Sequence, residues 1–441
     1  MEGIPEAAGE VLARLEGAGY EAWCVGGAVR DLLLGREPGD WDVTTSAPPE
    51  AVLALFAPRS LPTGLRHGTV TVKTGGGTGV EVTTYRRDGV YLDSRHPDHV
   101  EFTACLEEDL ARRDFTVNAI AMDRRGRIAD PFGGREDLSR RVLRAVGRAE
   151  DRFREDALRI LRCLRFASKL GFAIAPDTAA ALRAQGPLLR RIAPERIQAE
   201  LTGLLCGAGA AEVLLSYPEV LGVFLPEILP CVGFDQRSVY HCYDVWEHTA
   251  RSVAAVRPEP VLRYTMLLHD LGKPDAFSLG EDGRGHFYGH WRESVLLGEA
   301  ILDRLRADNH SRHTILTLVE RHDAPLTLSE KSVRRALARY GEETLRLLLE
   351  VKRGDNLAQA EPYRDRQTLI SQFEDLLELV LQSGACFSLR QLAVKGGDLT
   401  ALGLRGPAVG KALDELLELV IDGKLPNDRG ILLEHIKEKL L

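Results

Sequence analysis

Residues 23–45 read WCVGGAVRDLLLGREPGDWDVTT, and the order of residue types in them sets a mixed α and β beginning. The apolar run EAWCV predicts a short strand that ends at the pair Gly26 and Gly27. AVRDLLLG follows as a helix, with Gly35 near its end. DWDVTT alternates and predicts a second strand. On a strand, Asp40 and Asp42 share a face. Two carboxylates that close repel unless a hard cation lies between them, and Mg2+ held by one or two carboxylates plus substrate phosphates is a common use of such a pair. Alone, the pair reads as solvent-facing residues at a strand start. The glycines beside it favour a phosphate site, because a Gly-Gly turn opening onto a helix lets backbone N–H groups approach an anion. Arg30, in the first turn of that helix, adds positive charge.

Outward from this stretch, residues 5–19 predict a helix. GTVTVKT and GVEVTTY predict two more strands around the turn GGGTG. From about residue 150 the pattern is almost all helical. EDALRILRCLRFASKLGF spaces Leu158, Leu161 and Leu164 by three and stops at Gly171, and PERIQAELTGLLC opens on Pro194. TTYRRDGVYLDSRHPDHVEF lacks periodicity and reads as a long polar loop. PEILPCVGFDQRSVYH marks a boundary near 226–240.

The chain has 441 residues, a formal net charge of −8 and 44% apolar residues, which excludes a basic nucleic-acid coat and predicts two to four domains. The average hides a band from Arg112 to Lys169 with 16 Lys+Arg against 9 Asp+Glu. That band reads as a phosphate-facing surface or as a solvated helix face. The seven cysteines are scattered and odd in number, which argues for reduced thiols. With no signal layout and no apolar run of ~18 residues, the expectation is a cytoplasmic protein with no membrane partner.

VGGAVRDLLLG…DWDVTT, TGLRHGTVTV, RRDFTVNAIA, DPFGG, EDALRILRCLRFA and PERIQAEL together resemble, in order and spacing over roughly residues 20–205, the bacterial-type (class II) tRNA nucleotidyltransferase and poly(A) polymerase family. The resemblance implies an α+β fold: a polymerase-beta-like head (1–145), an all-α neck that binds base and RNA (146–230), and further helical parts. It implies that Asp40 and Asp42 hold catalytic Mg2+, and that Gly26, Gly27 and Arg30 contact the nucleotide. RRDFTVN, with Arg112, Arg113, Asp114 and Asn118, is expected to contact triphosphate and ribose. Glu81 is a candidate third carboxylate or a surface residue.

Asp156 and Arg159, three apart on a predicted helix, share a face and read as an i,i+3 salt bridge or, by the resemblance, as the reader of the incoming base. Cytosine and adenine each show an exocyclic amine beside a ring-nitrogen acceptor, which a carboxylate and a guanidinium complement. Uracil and guanine present the reverse and would leave both groups unpaired. Arg162 and Arg165 continue the basic face toward phosphate. The resemblance implies tRNA, CTP and ATP as partners. Its A-adding and polyadenylating members are the alternatives, the latter disfavoured because the chain ends without a strongly basic extension. The long polar loop, by resemblance, favours full CCA or A addition over CC-only addition.

A second constellation begins at LLHDLGK, where His269 and Asp270 are adjacent. With His248 in WEHTARSV and Asp355 in KRGDNLAQA, the set resembles an HD phosphohydrolase domain (231–375) holding a divalent transition metal such as Ni, Mn, Co or Fe, and the resemblance implies a 2′,3′-cyclic phosphodiesterase or phosphatase whose substrate is a 2′,3′-cyclic phosphate, a phosphomonoester or a nucleotide. His290 and His322 match the extra ligands of dinuclear versions, and His241 reads as a supporting or core residue. The other reading of the whole chain is therefore a metal-dependent phosphohydrolase with an RNA-binding head. The tail (376–441), with VKGGDLTALGLRGPAVGKALDELLELV read as a glycine-rich loop before a helix, is a candidate tRNA contact or a plain helical cap.

Overall fold

The computed structural model describes residues 3–75, 79–89, 100–238 and 242–440. Helix α1 (Glu6–Gly17) buries Ala8, Val11, Leu12 and Leu15, the i, i+3, i+4, i+7 stripe of an amphipathic helix. It packs on a seven-stranded sheet that carries the first site. The strands are β1 (Ala22–Val25), β2 (Asp42–Thr45), β3 (Ser60–Gly64), β4 (Thr69–Lys73), β5 (Gly79–Thr84), and the short strands Ala121–Met122 and Ile128–Ala129. Their order is β3-β4-β5-β2-β1, followed by the two short strands. β2 runs antiparallel to β1 and parallel to β5, with Val25 opposite Asp42 and Asp42 opposite Glu81. Helix α2 (Gly27–Leu33) links β1 toward β2. Val25, Leu110, Ala119, Ala121 and Val146 form a buried cluster under this end of the sheet.

Two expectations change here. β2 starts at Asp42, so Asp40 precedes the strand and the i,i+2 strand argument does not hold for the pair. The expected polar loop at 83–102 instead contains a ladder, Arg86–Asp88 antiparallel to Val100–Phe102. Its residues 90–99 lie outside the described residues, as do 76–78 of the expected glycine turn.

Beyond the sheet the chain is helical apart from short two-stranded pairs. The helix Leu158–Leu170 ends at Gly171, whose φ of 68° is left-handed, a conformation glycine adopts without a Cβ clash. The helix Pro194–Leu205 has proline in its first turn. The chain folds into two compact units, Met1–Leu229 and Pro230–Leu441.

In the second unit Asp244 caps the helix Val245–Ala255 by accepting from Glu247 N at 2.7 Å. Pro260–Leu268, His290–Arg304 and Asn309–Arg321 follow, then the long element Glu330–Leu357, broken at Gly341. The stretch 394–420, expected as a loop before one helix, forms two helices, Gly396–Ala401 and Pro407–Ile421, and Arg429–Leu440 follows it. Leu399, Leu416, Leu432 and Ile436 give them a core of their own. Among the described residues no single helix is long and apolar enough to cross a membrane.

Candidate functional site

The ladder partner of Asp42 is Glu81, so sheet pairing sets two carboxylates side by side and the turn before β2 brings Asp40 near. Crowding by protein pushes the Asp42 carboxyl above the usual carboxylate range; Arg113 opposes this, while Glu81 and Asp40 add to it. Three neighbouring acids with the central carboxyl raised fit a hard cation, which would reverse the repulsion. Arg113 is held by Asp109, a buried acid whose Oδ2 lies 3.6 Å from Arg113 and accepts from Thr44 on β2 at 3.0 Å. Arg112 pairs with the other oxygen of Asp109 at 2.7 Å. Asp109 escaped the sequence reading, although its i+3 and i+4 spacing to the two arginines was the available signal.

The glycine turn sits against this cluster. Gly26 has φ 74° and ψ −134°, a region essentially reserved for glycine. A Cβ there would lie 3.1 Å from the Arg113 guanidinium. Gly26→Ala is expected to destabilise the first unit by about 1–3 kcal/mol, read as a lower denaturation midpoint; an unchanged midpoint would mean that the turn relaxes freely.

Arg30 does not point at an open phosphate seat. It is buried, grips Asp31 with two nitrogens at 2.9 and 3.0 Å, and donates to Asn118 Oδ1 at 2.7 Å. Asn118 donates to Asp114 Oδ1 at 3.0 Å, and Asp114 Oδ2 pairs with Arg162 at 2.7 Å. Burial pushes the Asp114 carboxyl up, but Arg162 and Asn118 hold it below the ordinary range. Arg165 pairs with Glu200, and Arg162 lies 3.8 Å from the same acid. Arg30, Arg162 and Arg165 all stand over the ring of Phe166, at 5.2, 5.3 and 4.2 Å. Four expected nucleotide or phosphate contacts (Arg30, Asp114, Asn118, Arg162) thus form one buried network that fixes α2 to the helix Leu158–Leu170.

Asp156 is not on a helix with Arg159. It has extended geometry (φ −134°, ψ 104°) in the break between Ala149–Glu155 and Leu158–Leu170. There its Oδ1 accepts from Leu158 N at 3.0 Å, the way a capping carboxylate does. Its other oxygen meets Arg196 at 3.3 Å. Arg159 pairs with Glu155 at 2.7 Å and donates to the Arg112 carbonyl at 2.9 Å. The expected i,i+3 bridge is replaced by these two separate pairs. They hold the carboxylate and the guanidinium apart, beside the Arg112–Arg113 segment. Glu155 and Arg196 were not singled out from sequence.

In the second unit His248, His269, Asp270, His290, His322 and Asp355 converge. His241 lies outside the described residues. His248 Nε2 stands 3.0 Å from Asp355 Oδ1 and 3.3 Å from Asp270 Oδ2; His269 Nε2 is also 3.3 Å from Asp270 Oδ2. On the other side His290 and His322 Nε2 lie 3.3 and 3.7 Å from Asp270 Oδ1. The far ring nitrogens face backbone carbonyls: His248 at Ala358 (3.3 Å), His269 at Met266 (2.7 Å), His290 at Phe287 (2.9 Å) and His322 at Val319 (2.7 Å). A carbonyl only accepts, so each Nδ1 carries a proton, and wherever the ring is neutral its Nε2 lone pair turns inward. Yet Nε2 atoms approach each other at 3.4 Å (His248–His269) and 3.2 Å (His290–His322). Lone pairs facing each other repel, and a cation bound at about 2.0–2.1 Å to each nitrogen would resolve this. The donor set fits a borderline transition metal, and backbone-fixed tautomers are the usual support of metal-ligating histidines.

Charge agrees with a neutral ring at His322 but not at His269. Burial, with His269 and His290 nearby, holds the His322 imidazole down to about 3, which keeps it neutral. Burial lowers His269 too, but Asp270 and Asp355 win and raise it. Burial pushes Asp270 up, while His269 and Lys273 hold it well below the carboxylate range. Lys273, also absent from the sequence reading, is buried with Nζ 2.7 Å from Asp270 and 2.8 Å from Gln236 Oε1. Its place three residues after Asp270 was the only clue. Lys352 donates to the His322 carbonyl at 2.7 Å and to Arg321 O at 3.2 Å, anchoring that end of the helix Asn309–Arg321. Asp270, His290, His322 and Asp355 open onto a cleft of about 460 Å³.

Residues 22–144 match the model of the poly A polymerase head domain. Residues 171–230 match that of a probable RNA and SrmB-binding site of polymerase A, and residues 298–436 that of a putative tRNA nucleotidyltransferase domain 2. The CCA-adding enzyme of Geobacillus thermodenitrificans is 54% identical over 217 residues, covering 49% of this chain and 53% of that protein; the chain thus spans about half the length of such relatives. The CCA-adding enzyme of Levilactobacillus brevis is 35% identical over 451 residues, covering 99% of this chain and 100% of that protein. The crystal structure of the Bacillus stearothermophilus CCA-adding enzyme in complex with CTP superposes with a TM-score of 0.70 at 32% identity, covering 99% of this chain and 97% of that one. The sheet bearing Asp42 is therefore a polymerase-beta-like head with a mostly helical remainder, and the chain belongs to the family of the CCA-adding enzymes, the tRNA nucleotidyltransferases with a poly A polymerase head.

Proposed function

We propose that the chain adds C, C and A to the 3′ end of tRNA, using CTP and ATP without a nucleic-acid template. The observation that carries the reading is the acid cluster: Asp42 in register with Glu81, Asp40 nearby, and Arg113 held beside it by Asp109. Asp40, Asp42 and Glu81 would hold Mg2+, which activates a hydroxyl and neutralises a leaving pyrophosphate. The tRNA 3′-hydroxyl attacks the α-phosphorus of the nucleotide, a P–O bond forms, and the bond to pyrophosphate breaks. Arg112 and Arg113 supply positive charge toward the triphosphate. The buried network around Asp114, Asn118, Arg30 and Arg162 positions the nucleotide-facing segment rather than touching the substrate.

Asp156 and Arg159 read the base in this proposal. A carboxylate offers more lone pairs than Leu158 N and Arg196 engage, and Nε of Arg159 is outside the bonds named above. Glu155 and Arg196 set the direction of the two readers. Asp156→Ala is expected to lower discrimination between CTP and UTP by about 10²-fold or more, since the pairing rejects the base that leaves buried groups unpaired. The measurement is the ratio of kcat/KM values for the two nucleotides, and an unchanged ratio would reject the assignment.

The division into head (1–145), neck (146–230), HD domain (231–375) and tail (376–441), with the tail contacting tRNA, belongs to the same proposal. Incubating tRNA that lacks none, one, two or three terminal nucleotides with CTP and ATP separately tests it. CMP addition to the substrate lacking three residues supports CCA addition. AMP addition alone to the substrate lacking one marks an A-adding enzyme, and runs of A on intact tRNA mark a poly(A) polymerase.

A second activity has its own support in the six-residue cluster of the second unit. We infer a metal-dependent phosphohydrolase there. A divalent transition metal bound by His248, His269, Asp270 and Asp355, with His290 and His322 on the far side of Asp270, would polarise a phosphate ester and lower the pKa of water.

A further inference from the structure

Arg112 and Arg113 are chain neighbours with unequal partners. Arg112 is locked: its Nε and Nη2 donate to one oxygen of Asp109, Oδ1, at 3.0 and 2.7 Å. Arg113 reaches the other oxygen, Oδ2, only at 3.6 Å, which is an ion-pair contact and too long for a hydrogen bond. Its Nε–H is buried and finds no acceptor among the described residues. A buried donor without an acceptor is unfavourable, so this guanidinium is held loosely where its neighbour is held tightly.

Asp109 itself is fixed. It is fully buried on the helix Leu106–Ala111, and the Thr44 hydroxyl donates to its Oδ2 at 3.0 Å. Asp42 and Thr44 are two apart on β2 and share a face, so this bond sets Asp109 on the face that bears the acid cluster. Arg113 therefore stands between two acids, with the Gly26 turn closing a third side. Burial pushes the Arg113 guanidinium down; Asp109 offsets this most and Asp42 next.

We propose that Arg113 is the internal counter-ion of the acid cluster while no metal is bound, and that Asp109 is a positioning residue that draws it aside from an arriving Mg2+. The inference rests on the reading of Asp40, Asp42 and Glu81 as a Mg2+ site. A guanidinium and a hard cation set against the same carboxylate repel each other, so Arg113 has to yield. Asp109 supplies the place it yields to: a buried carboxylate anchored by Thr44, with an oxygen that Arg112 leaves unused.

Equilibrium binding of Mg2+ to the full-length, nucleotide-free protein, read by calorimetric titration, tests this. Binding that is lost in Asp42→Ala identifies the signal of the cluster. Arg113→Gln removes the competitor and should tighten that binding by about tenfold, the scale on which a nearby charge biases a carboxylate. Asp109→Asn frees Arg113 to pair with Asp42 and should weaken binding by about tenfold. In the double variant that weakening should vanish, because no guanidinium remains to occupy the cluster, and the affinity should match that of Arg113→Gln alone. If Asp109→Asn weakens binding equally in both backgrounds, Asp109 acts only as one more negative charge and the proposal fails. Wild-type affinity in Arg113→Gln also overturns it, and this arm stands by itself where Asp109→Asn does not fold. Mg2+ binding that Asp42→Ala leaves intact overturns the metal reading, and the proposal with it.

Discussion

Replacing Asp42 with alanine should lower nucleotide incorporation onto tRNA by about 10³-fold or more, because a bound cation supplies several kcal/mol of transition-state stabilisation and each 1.36 kcal/mol is tenfold in rate. The fold should survive. Asp42 is a source of repulsion beside Glu81 and Asp40, and its carboxyl is raised by crowding and by those acids. A carboxyl raised on folding contributes a cost that is present above its folded pKa and disappears as pH falls through it. In cation-free protein at neutral pH, Asp42→Asn should therefore leave the thermal midpoint unchanged or raise it. Mg2+ should reverse that ranking, raising the midpoint of the wild type and leaving that of Asp42→Asn nearly unmoved. Retained incorporation by Asp42→Ala would exclude the acid cluster as the catalytic centre.

The second large effect is expected at Asp270. Asp270→Asn should reduce bound transition metal to less than about one tenth and phosphohydrolase turnover by about 10³-fold, while nucleotide addition continues. Asparagine is the better probe than alanine. Both variants remove the counter-charge of buried Lys273, 2.7 Å away, a loss that costs about 3–5 kcal/mol in a buried pair, but asparagine keeps the side-chain volume and an oxygen that still accepts from Lys273. The thermal midpoint of Asp270→Asn, measured on the same preparation, separates unfolding from metal loss. Metal analysis and both activities on one preparation decide the matter. Full metal retention in Asp270→Asn would reject the ligand assignment, and equal loss of nucleotide addition would make the cluster structural.

What the sequence revealed depended on whether the signal was local. β1, α2, β4, β5 and the helix stopped by Gly171 follow from short-range pattern and glycine placement, and the structure has them. The ladder Arg86–Asp88 with Val100–Phe102 is invisible to pattern because a three-residue strand has too few positions to show alternation. The alternation of DWDVTT puts Asp40 and Asp42 on one strand, but the chain enters the sheet only at Asp42. Glu81 is a bare candidate from sequence because its relation to Asp42 is sheet register across 39 residues, which no spacing rule encodes. The break at Asp156 is hidden for a related reason: EDALRILR has helical composition throughout, and the interruption is set by a carboxylate capping Leu158 and by Arg196 from a distant helix. In the second unit the histidines are legible as types. The carbonyls that fix their tautomers are not, being backbone atoms without sequence identity.

Asp270 turns one oxygen to His248 and His269 and the other to His290 and His322. A single carboxylate shared by two pockets makes their occupancies interdependent. The first divalent ion to bind would draw on the charge that the second also requires, and the two ions would repel through a short, poorly screened path. Titration of metal-free protein would then follow a biphasic isotherm, with a tight first equivalent and a weaker second one. At limiting supply the population would be dominated by singly loaded molecules, so trace-metal availability would grade the protein between two chemical forms.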